Sequence, residues 1–280
     1  MPEMQTWLER FVGAIPWSWR RSIYRHPAVA RLARRILNRL VGRGRKIVAI
    51  TAGPLKGARF RLDLQTEKYF WLGTHEPLVQ EWLASYVKPG WVVYDVGAHI
   101  GFFTLLLSRL VGESGKVFAF EPDPANAKRL RENTSLNNTA NVRLVPQAVS
   151  GDEGMVRFQS DRETMSHVVT GTHSGGTERA GIIEVSATTL DTFVIGGHNP
   201  PPHFIKLDVE GHEDVVLSGS LRILKEHRPL ILCEVHNAHA GVAVWTILTS
   251  LNYRLFPLDN SVKQLETRSD LVAGHYIALP

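Results

Sequence analysis

The strongest constraint on the fold of this 280-residue chain is an alternation of short apolar runs with helical segments that begins near residue 91. The runs are rich in β-branched and aromatic residues, which is typical of buried strands, and the segments between them carry apolar residues at helical spacing. The alternation predicts an α/β fold with a doubly wound, mostly parallel sheet. The predicted strands span residues 91–96, 116–120, 142–148, 204–208 and 230–235, and the predicted helices span residues 101–110, 124–137, 215–225 and 242–251.

Shorter elements are predicted around this pattern. Residues 48–52 and 59–64 predict two strands, and residues 76–87 predict a helix. Strands at 155–159 and 182–187 enclose a polar loop at 162–179, and strands at 254–258 and 276–279 predict a closing antiparallel pair.

The positive charge is concentrated at the start of the chain. Residues 1–46 hold eleven Lys or Arg and two acids, a net charge of +9, whereas the whole chain has a net charge of +5. Residues 29–41 predict an amphipathic helix with an arginine face. The chain is therefore interpreted as a basic helical arm at 1–46 and a main domain at 47–280. The arm could dock on the main domain, lie on an anionic membrane surface, or hold a nucleic acid or protein partner.

Composition excludes several classes of protein. Hydrophobic residues make up 44% and charged residues 21%, which is typical of a globular chain and excludes a disordered one. The single cysteine, Cys233, excludes a disulfide scaffold and is expected to be a buried small apolar side chain. It favours a reducing compartment, so we expect a cytoplasmic protein, peripheral at the membrane if the arm binds lipid. No apolar run reaches the ~18–20 residues of a membrane-spanning helix.

Polar residues follow five successive predicted strands, at the edge where ligands bind in doubly wound sheets. Each could instead be local, Asp95 as a helix cap and Asp208 as a turn former. A dinucleotide-binding loop is disfavoured because position 99 is not glycine. The strand-end segments are Asp95-Val-Gly97-Ala-His99-Ile-Gly101, Glu121-Pro-Asp123, Gln147-Ala148, Asp208-Val-Glu210 and Glu234-Val-His236.

The first of these segments, continued by Phe-Phe-Thr, resembles motif I of the class I S-adenosylmethionine-dependent methyltransferases, and the chain is more narrowly similar to FkbM-type methyltransferases. The resemblance covers about residues 50–240. It implies a Rossmann-like class I methyltransferase fold, and one departure is His99, where the family usually has Asn. The other matching segments are Trp71-Leu-Gly-Thr-His-Glu76-Pro, Pro89-Gly90, Phe120-Glu-Pro, Val145-Pro-Gln-Ala-Val-Ser150, Leu190-Asp191, Ile205-Lys-Leu-Asp-Val-Glu-Gly211 and Glu234.

The resemblance implies S-adenosylmethionine as cofactor. Gly97, His99 and Gly101 would lie against its amino acid end near Asp95, and Glu121 would hold the ribose. The remaining implied cofactor contacts are Asp123 beside the ribose, Gln147 and Ala148 beside the adenine, and Glu76 covering the cofactor.

The resemblance also implies methyl transfer to a hydroxyl group. The acceptor would be a sugar hydroxyl of a glycan, glycolipid or glycosylated natural product. A general base is then needed, and the expected catalytic residues are Asp208, Glu210, Glu234 and His236. Asp208, Glu210 and Glu234 would also suit Mg²⁺ or Ca²⁺, although their spacing does not decide whether a metal binds. Lys206 lies inside a predicted buried strand and is expected to pair with a nearby acid.

Two other functions stay open at this stage. The chain could methylate RNA or protein and use its basic arm to hold the substrate, although a nucleic acid partner is not favoured. It could also be a binding protein that retains the fold without activity. The sequence does not predict the oligomeric state.

Overall fold

A computed structural model describes residues 42–159, 167–168, 181–259 and 263–280. The predicted helix at 29–41, and the polar loop at 162–179 apart from residues 167–168, lie outside the described residues. The predictions for the arm therefore stay predictions. The chain divides into two compact units, residues 1–86 with 132–139 and residues 87–131 with 140–280. In the described part of the chain, no helix is both long enough and apolar enough to cross a membrane.

The first unit is built on an antiparallel strand pair, β1 (Arg45–Ala49) and β2 (Arg59–Asp63). Two helices follow, α1 (Lys68–Leu72) and α2 (Pro77–Tyr86). The side chain of Asn133 accepts a hydrogen bond from the backbone N–H of Arg61, at 2.9 Å. The predicted strand at 59–64 and the predicted helix at 76–87 are confirmed, whereas β1 begins and ends three residues before the predicted strand at 48–52. The one-turn helix α1 was not predicted.

The second unit contains a seven-stranded sheet in the order β12-β13-β11-β10-β3-β4-β5. Strand β13 is antiparallel to both of its neighbours, and the other pairings are parallel. The predicted doubly wound, mostly parallel sheet with an antiparallel C-terminal pair is confirmed. Its strands are β3 (Val92–Val96), β4 (Lys116–Phe120), β5 (Val142–Val145), β10 (Phe204–Leu207), β11 (Leu230–Val235), β12 (Arg254–Pro257) and β13 (Gly274–Leu279).

Five helices connect these strands. Helix α3 (Phe102–Val111) follows β3, and α4 (Pro124–Ser135) follows β4. Two short helices, α5 (Glu213–Ser218) and α6 (Leu221–His227), join β10 to β11, and α7 (Ala238–Ser250) follows β11. The prediction of one helix at 215–225 was wrong because Gly219 ends α5 against the backbone of Ser150, where a Cβ would lie 2.3 Å from the carbonyl oxygen. Helix α6 then begins anew, with Asp191 accepting from two of its backbone N–H groups.

A second, four-stranded sheet follows β5 in the chain. Its order is β6 (Ala148–Val149), β9 (Ile182–Thr188), β7 (Gly154–Gln159) and β8 (His167–Val168). The single predicted strand at 142–148 was wrong, because β5 and β6 belong to different sheets. Pro146 lies between them, and a proline has no N–H with which to continue a strand ladder.

The chain order of the large sheet reverses at β3. The chain runs outward from β3 to β4 and β5 and then returns to β10 on the other side of β3. Ligand sites in doubly wound sheets form at the carboxyl ends of strands beside such a reversal. Gly97, directly after β3, has a φ of +84°, and a Cβ there would lie 1.7 Å from the carbonyl oxygen of Asp208. Only glycine lets the ends of β3 and β10 approach this closely.

We therefore expect Gly97→Ala to destabilise the fold strongly. Gly57→Ala is the matched control, because Gly57 has the same φ of +84° with nothing within 4 Å of a Cβ. The control should lose about 1–2 kcal/mol from left-handed strain. Gly97→Ala should lose about 1–3 kcal/mol more through overpacking, measured as free energy of unfolding in denaturant. Equal losses in the two variants would contradict the close approach.

Candidate functional site

The carboxyl ends of four parallel strands bring most of the predicted site residues together in the second unit. Asp95 lies in β3 and faces Lys206 in β10, with which it is paired in register. Glu121 follows β4, Asp208 follows β10, and His236 follows β11. Two groups of residues make up the site. The first is the loop that follows β3, residues 97–101, called the β3 loop, together with Asp95 and Glu121. The second is the acidic cluster of Asp208, Glu210, Glu213, Glu234 and His236.

Glu121 holds the loop that follows β3. Its buried carboxylate accepts a 2.7 Å hydrogen bond from the backbone N–H of His99 and a 2.9 Å bond from that of Asp123. Burial raises the pKa of Glu121 to about 8, although the two N–H donors oppose the rise. One side chain thus fixes both the loop that follows β3 and the loop that follows β4.

The β3 loop depends on left-handed backbone at two positions besides Gly97. His99 has a φ of +50° and Gly101 a φ of +88°. Asn, Asp and His are the side chains that tolerate this region best, so His99 suits a conformation that Asn also adopts. A Cβ on Gly101 would lie 3.0 Å from Leu130, so this glycine lets helix α3 begin close to α4.

Asp95 is a fully buried acid with one oxygen still available. Its Oδ2 accepts a 2.6 Å hydrogen bond from the hydroxyl of Thr104 in α3. Its Oδ1 is buried and has no hydrogen-bond partner among the described residues. Burial raises the pKa of Asp95, and the charge of Lys206 opposes the rise. A buried acceptor without a donor, beside the β3 loop, fits an N–H donor with positive charge such as the ammonium group of S-adenosylmethionine.

The other predicted cofactor contacts have visible local roles. Asp123 caps the start of α4, accepting from the backbone N–H groups of Ala125 and Asn126. Gln147 lies in the turn between β5 and β6, and Ala148 is buried in the core of the smaller sheet. Glu76 lies in the first unit, with its Oε1 3.0 Å from His75 Nε2. Their contacts with a cofactor stay predictions.

Lys206 supplies a buried positive charge at the base of the acidic cluster. Its Nζ donates a 2.9 Å hydrogen bond to Asp208 Oδ2 and lies 5.0 Å from the ring centroid of Phe103. The prediction that Lys206 pairs with an acid is confirmed. Burial alone would raise the pKa of Asp208, but Lys206, His236 and His275 together hold it below its usual value. Asp208 is therefore ionised and a weak base.

His236 is the centre of the acidic cluster. Its Nδ1 is 2.8 Å from Glu213 Oε1, and its Nε2 is 3.2 Å from Glu210 Oε2. The same Nε2 lies 3.7 Å from Asp208 Oδ1 and 3.8 Å from Glu234 Oε1. Burial lowers the pKa of His236, but the hydrogen bond to Glu213 and the charges of Glu210, Glu213 and Asp208 outweigh it and raise the pKa to about 9. The imidazole is therefore charged at neutral pH.

Glu210 is an acid of the cluster with a pKa close to neutral pH. Burial and the neighbouring charges of Asp208 and Glu234 raise its pKa to about 7, against the opposing charge of His236. Its backbone has a φ of +55°, an uncommon conformation for glutamate, and Gly211 follows at +98°. This left-handed turn brings the Glu210 carboxylate to His236.

The cluster also offers donor atoms for a cation. Ligand atoms of Asp208, Glu234 and His236 lie within 4.8 Å of one another. This set contains His236, whereas the metal ligands predicted from the sequence were Asp208, Glu210 and Glu234. In the protein without metal, the charged imidazole supplies positive charge at this point.

Two residues of the site were not predicted. Glu213 is fully buried and lies on the face of α5 that also buries Val216 and Leu217. An acid at this apolar spacing was a signal that could have identified it. His275 in β13 is paired in register with Glu234, and its Nε2 lies 3.2 Å from Glu234 Oε2. Nothing in the sequence indicates that antiparallel register.

Removing the hydroxyl of Thr104 should destabilise the fold, because Asp95 then stays buried without that hydrogen-bond donor. Thr104→Val keeps the shape of the side chain but leaves a fully buried carboxyl group without its Thr104 donor. We expect a loss of about 1–3 kcal/mol in the free energy of unfolding. Thr246→Val, which removes an exposed hydroxyl that donates to a backbone carbonyl in α7, is the control and should change stability little. An equal effect of both substitutions would contradict the role given to Thr104.

Glu121 should make stability fall with rising pH. Because its folded pKa of about 8 lies above the ordinary value of 4.5, the folded protein binds this proton more tightly than the unfolded chain does. The stabilisation is complete below about pH 4.5 and is lost as pH rises through about 8. Glu121→Gln should therefore lose less stability than the wild type between these pH values.

The control for this measurement is Glu113→Gln, which neutralises an exposed acid. Its unfolding free energy, measured in urea across the same pH range, should follow the wild type. A Glu121→Gln curve parallel to the wild type would show that the Glu121 carboxyl is ionised throughout.

Comparisons with known proteins identify a family and relatives to which this chain is similar. A family described as the Methyltransferase FkbM domain matches residues 95–255, a span that includes Asp95, Glu121, Glu210 and His236. The hexuronic acid methyltransferase AglP of Haloferax volcanii is 31% identical over 185 residues, which are 65% of this chain and 70% of that protein. A ribosomal protein L11 methyltransferase of Caldanaerobacter subterraneus is 34% identical over 85 residues, which are 30% of this chain and 27% of that protein.

A solved structure gives a weaker likeness. The FkbM methyltransferase of Methylobacillus flagellatus KT superposes with a TM-score of 0.47 at 18% sequence identity. The superposition covers 67% of this chain, and this chain spans 43% of that one.

Proposed function

Because the chain belongs to the FkbM methyltransferase family, we propose that it transfers a methyl group from S-adenosylmethionine to a hydroxyl group of a sugar. It is an S-adenosylmethionine-dependent methyltransferase by that membership, and the acceptor is the part that we propose. The proposal is carried by Glu210, a half-buried carboxylate with a pKa near neutrality, held by His236 beside the β3 loop. The name of the relative from Haloferax volcanii, a hexuronic acid methyltransferase, supports a sugar as acceptor.

The β3 loop is the proposed cofactor site. Asp95 Oδ1 would accept from the ammonium group, and the lone pairs of Glu121 that face away from its two backbone donors would accept from the ribose hydroxyls. When bound, S-adenosylmethionine supplies a methyl group that is already activated by a sulfonium. The loop residues therefore bind and orient, and they take no part in proton transfer.

Glu210 is the proposed general base. A sugar hydroxyl must lose its proton as the new bond forms, and a base works best when its pKa lies near the working pH. Glu210 meets that condition with a pKa of about 7. Asp208 accepts a hydrogen bond from the charged Lys206, and His236 is already protonated. The Glu210 carboxylate would accept the hydroxyl proton at Oε1 or Oε2.

Asp208, His236 and Glu234 are proposed to set the charge around that base. His236 places positive charge 3.2 Å from Glu210, which keeps a useful share of the carboxyl ionised. Asp208, after β10, and Glu234, in β11, place negative charge 3.7 and 3.8 Å from the same imidazole nitrogen. A divalent cation bound by Asp208 and Glu234 is the alternative source of positive charge, and chelation distinguishes the two.

The acceptor can be found with labelled cofactor. Purified protein would be incubated with S-adenosylmethionine carrying a labelled methyl group and with glycan, lipid, RNA and protein fractions of a cell extract. Label in a glycan or glycolipid fraction, released by glycosidase treatment, is the expected result. Label in RNA or protein would overturn the sugar assignment, and loss of transfer with EDTA would assign Asp208 and Glu234 to a metal.

Glu210→Gln should separate catalysis from binding. The amide keeps the size of the side chain but cannot accept the proton, so turnover should fall by about 10²–10⁴-fold. The dissociation constant for S-adenosylmethionine, measured by calorimetry, should stay unchanged. Asp214→Asn, a neutralised acid nearby in α5, is the control for the loss of one charge. Turnover equal to the wild type would remove Glu210 from the catalytic residues.

A further inference from the structure

One fully buried carboxylate, that of Glu213, lies behind His236 and has no role in the proposed proton transfer. We propose that Glu213 is a positioning residue that orients His236 and fixes the turn that carries Glu210. The inference rests on the proposed function, since it concerns the base of that reaction. Glu213 is in the first turn of α5, and none of its side chain is exposed.

A single oxygen of Glu213 makes two contacts. Its Oε1 accepts a 2.8 Å hydrogen bond from the backbone N–H of Gly211 and lies 2.8 Å from Nδ1 of His236. Gly211 follows Glu210 in the left-handed turn, and His236 contacts the Glu210 carboxylate through Nε2. One atom therefore joins the backbone beside the base to the ring that contacts the base.

The contact also decides which imidazole nitrogen faces the reaction. Glu213 Oε1 already accepts from Gly211, and a carboxylate oxygen accepts a second hydrogen bond, so Nδ1 is the donor. Nε2 is then the nitrogen directed at Glu210, Asp208 and Glu234. A ring rotated away from α5 would lose this arrangement, and a misplacement of about 1 Å can cost about 10²-fold in rate.

Charged groups from several elements lie in or beside the acidic cluster. Asp208 and Glu210 come from the loop after β10 and Glu234 from β11, and all three face Nε2 of the ring. Lys206 from β10 and His275 from β13 act on Asp208, whereas Glu213 is the residue of the described chain that hydrogen-bonds Nδ1. Orientation can therefore be tested at Glu213 without changing the other groups.

Two variants separate reach from charge. Glu213→Asp keeps the negative charge at the start of α5 but withdraws the oxygen by one methylene. Glu213→Gln loses the charge but keeps an amide oxygen at the position that accepts from Gly211 and Nδ1. If Glu213 acts by positioning, the aspartate variant should be the impaired one. Asp214→Asn is the matched control, because it removes a charge from the same helix turn.

The first measurement needs no methyl acceptor. Nitrogen-15 NMR of the charged imidazole, in which both nitrogens carry a proton, reports whether the Nδ1 proton of His236 is hydrogen-bonded. We expect the Nδ1 proton signature in the wild type, in Glu213→Gln and in Asp214→Asn, and its loss in Glu213→Asp. An unchanged signature in Glu213→Asp would overturn the inference even if the sugar assignment were wrong.

The second measurement uses the acceptor found with labelled cofactor. Turnover of Glu213→Asp should fall by about 10²-fold, while Glu213→Gln keeps most of the activity. KM and the dissociation constant for S-adenosylmethionine should stay unchanged in both. A greater loss of turnover in Glu213→Gln than in Glu213→Asp would overturn the inference, because it would show that the negative charge of Glu213 matters and not the position of its oxygen. A change in KM or in cofactor binding, instead of turnover, would show a merely structural role.

Discussion

The structure depends on how a set of buried carboxylates is compensated at the carboxyl ends of the parallel strands. An unpaired buried charge costs several kcal/mol, so each acid at this edge needs a donor or a cation. Glu121 has two backbone N–H groups, Asp208 has Lys206, and Glu213 has Gly211 and His236. Asp95 has the Thr104 hydroxyl, and its Oδ1, like Oε2 of Glu213, is buried without a hydrogen-bond partner among the described residues. Asp95 Oδ1 is the oxygen to which we assign the ammonium group of the cofactor.

The same requirement explains the unusual backbone around the site. His99 and Glu210 both adopt left-handed conformations at the ends of neighbouring strands. In the first turn the backbone N–H of His99 donates to Glu121, and in the second the backbone N–H of Gly211 donates to Glu213. The turns thus provide donors to Glu121 and Glu213 where side-chain donors would occupy ligand space. Gly97 lets β3 and β10 come together so that these two turns belong to one site.

Much of this could be predicted from the sequence. Alternating apolar runs predicted the sheet and its order of strands and helices, and the polar strand ends predicted Asp95, Glu121, Asp208, Glu210 and His236. One error passed over a local signal, the proline within residues 142–148, and the others came from tertiary contacts that a local pattern does not contain. Pro146 divides a run that looked continuous, and Gly219 divides a helix because of its contact with Ser150. His275 reaches the site through antiparallel pairing with Glu234, which no spacing in the sequence records.

We propose that one strand edge holds the cofactor at Asp95 and Glu121 and presents its reactive side to Glu210. A crystal structure with S-adenosylhomocysteine would test this placement most directly. We expect the ribose hydroxyls on Glu121, the ammonium group on Asp95 Oδ1, and the sulfur facing Glu210. A ligand bound away from Asp95 and Glu121, or bound there with its sulfur turned away from the acidic cluster, would contradict it.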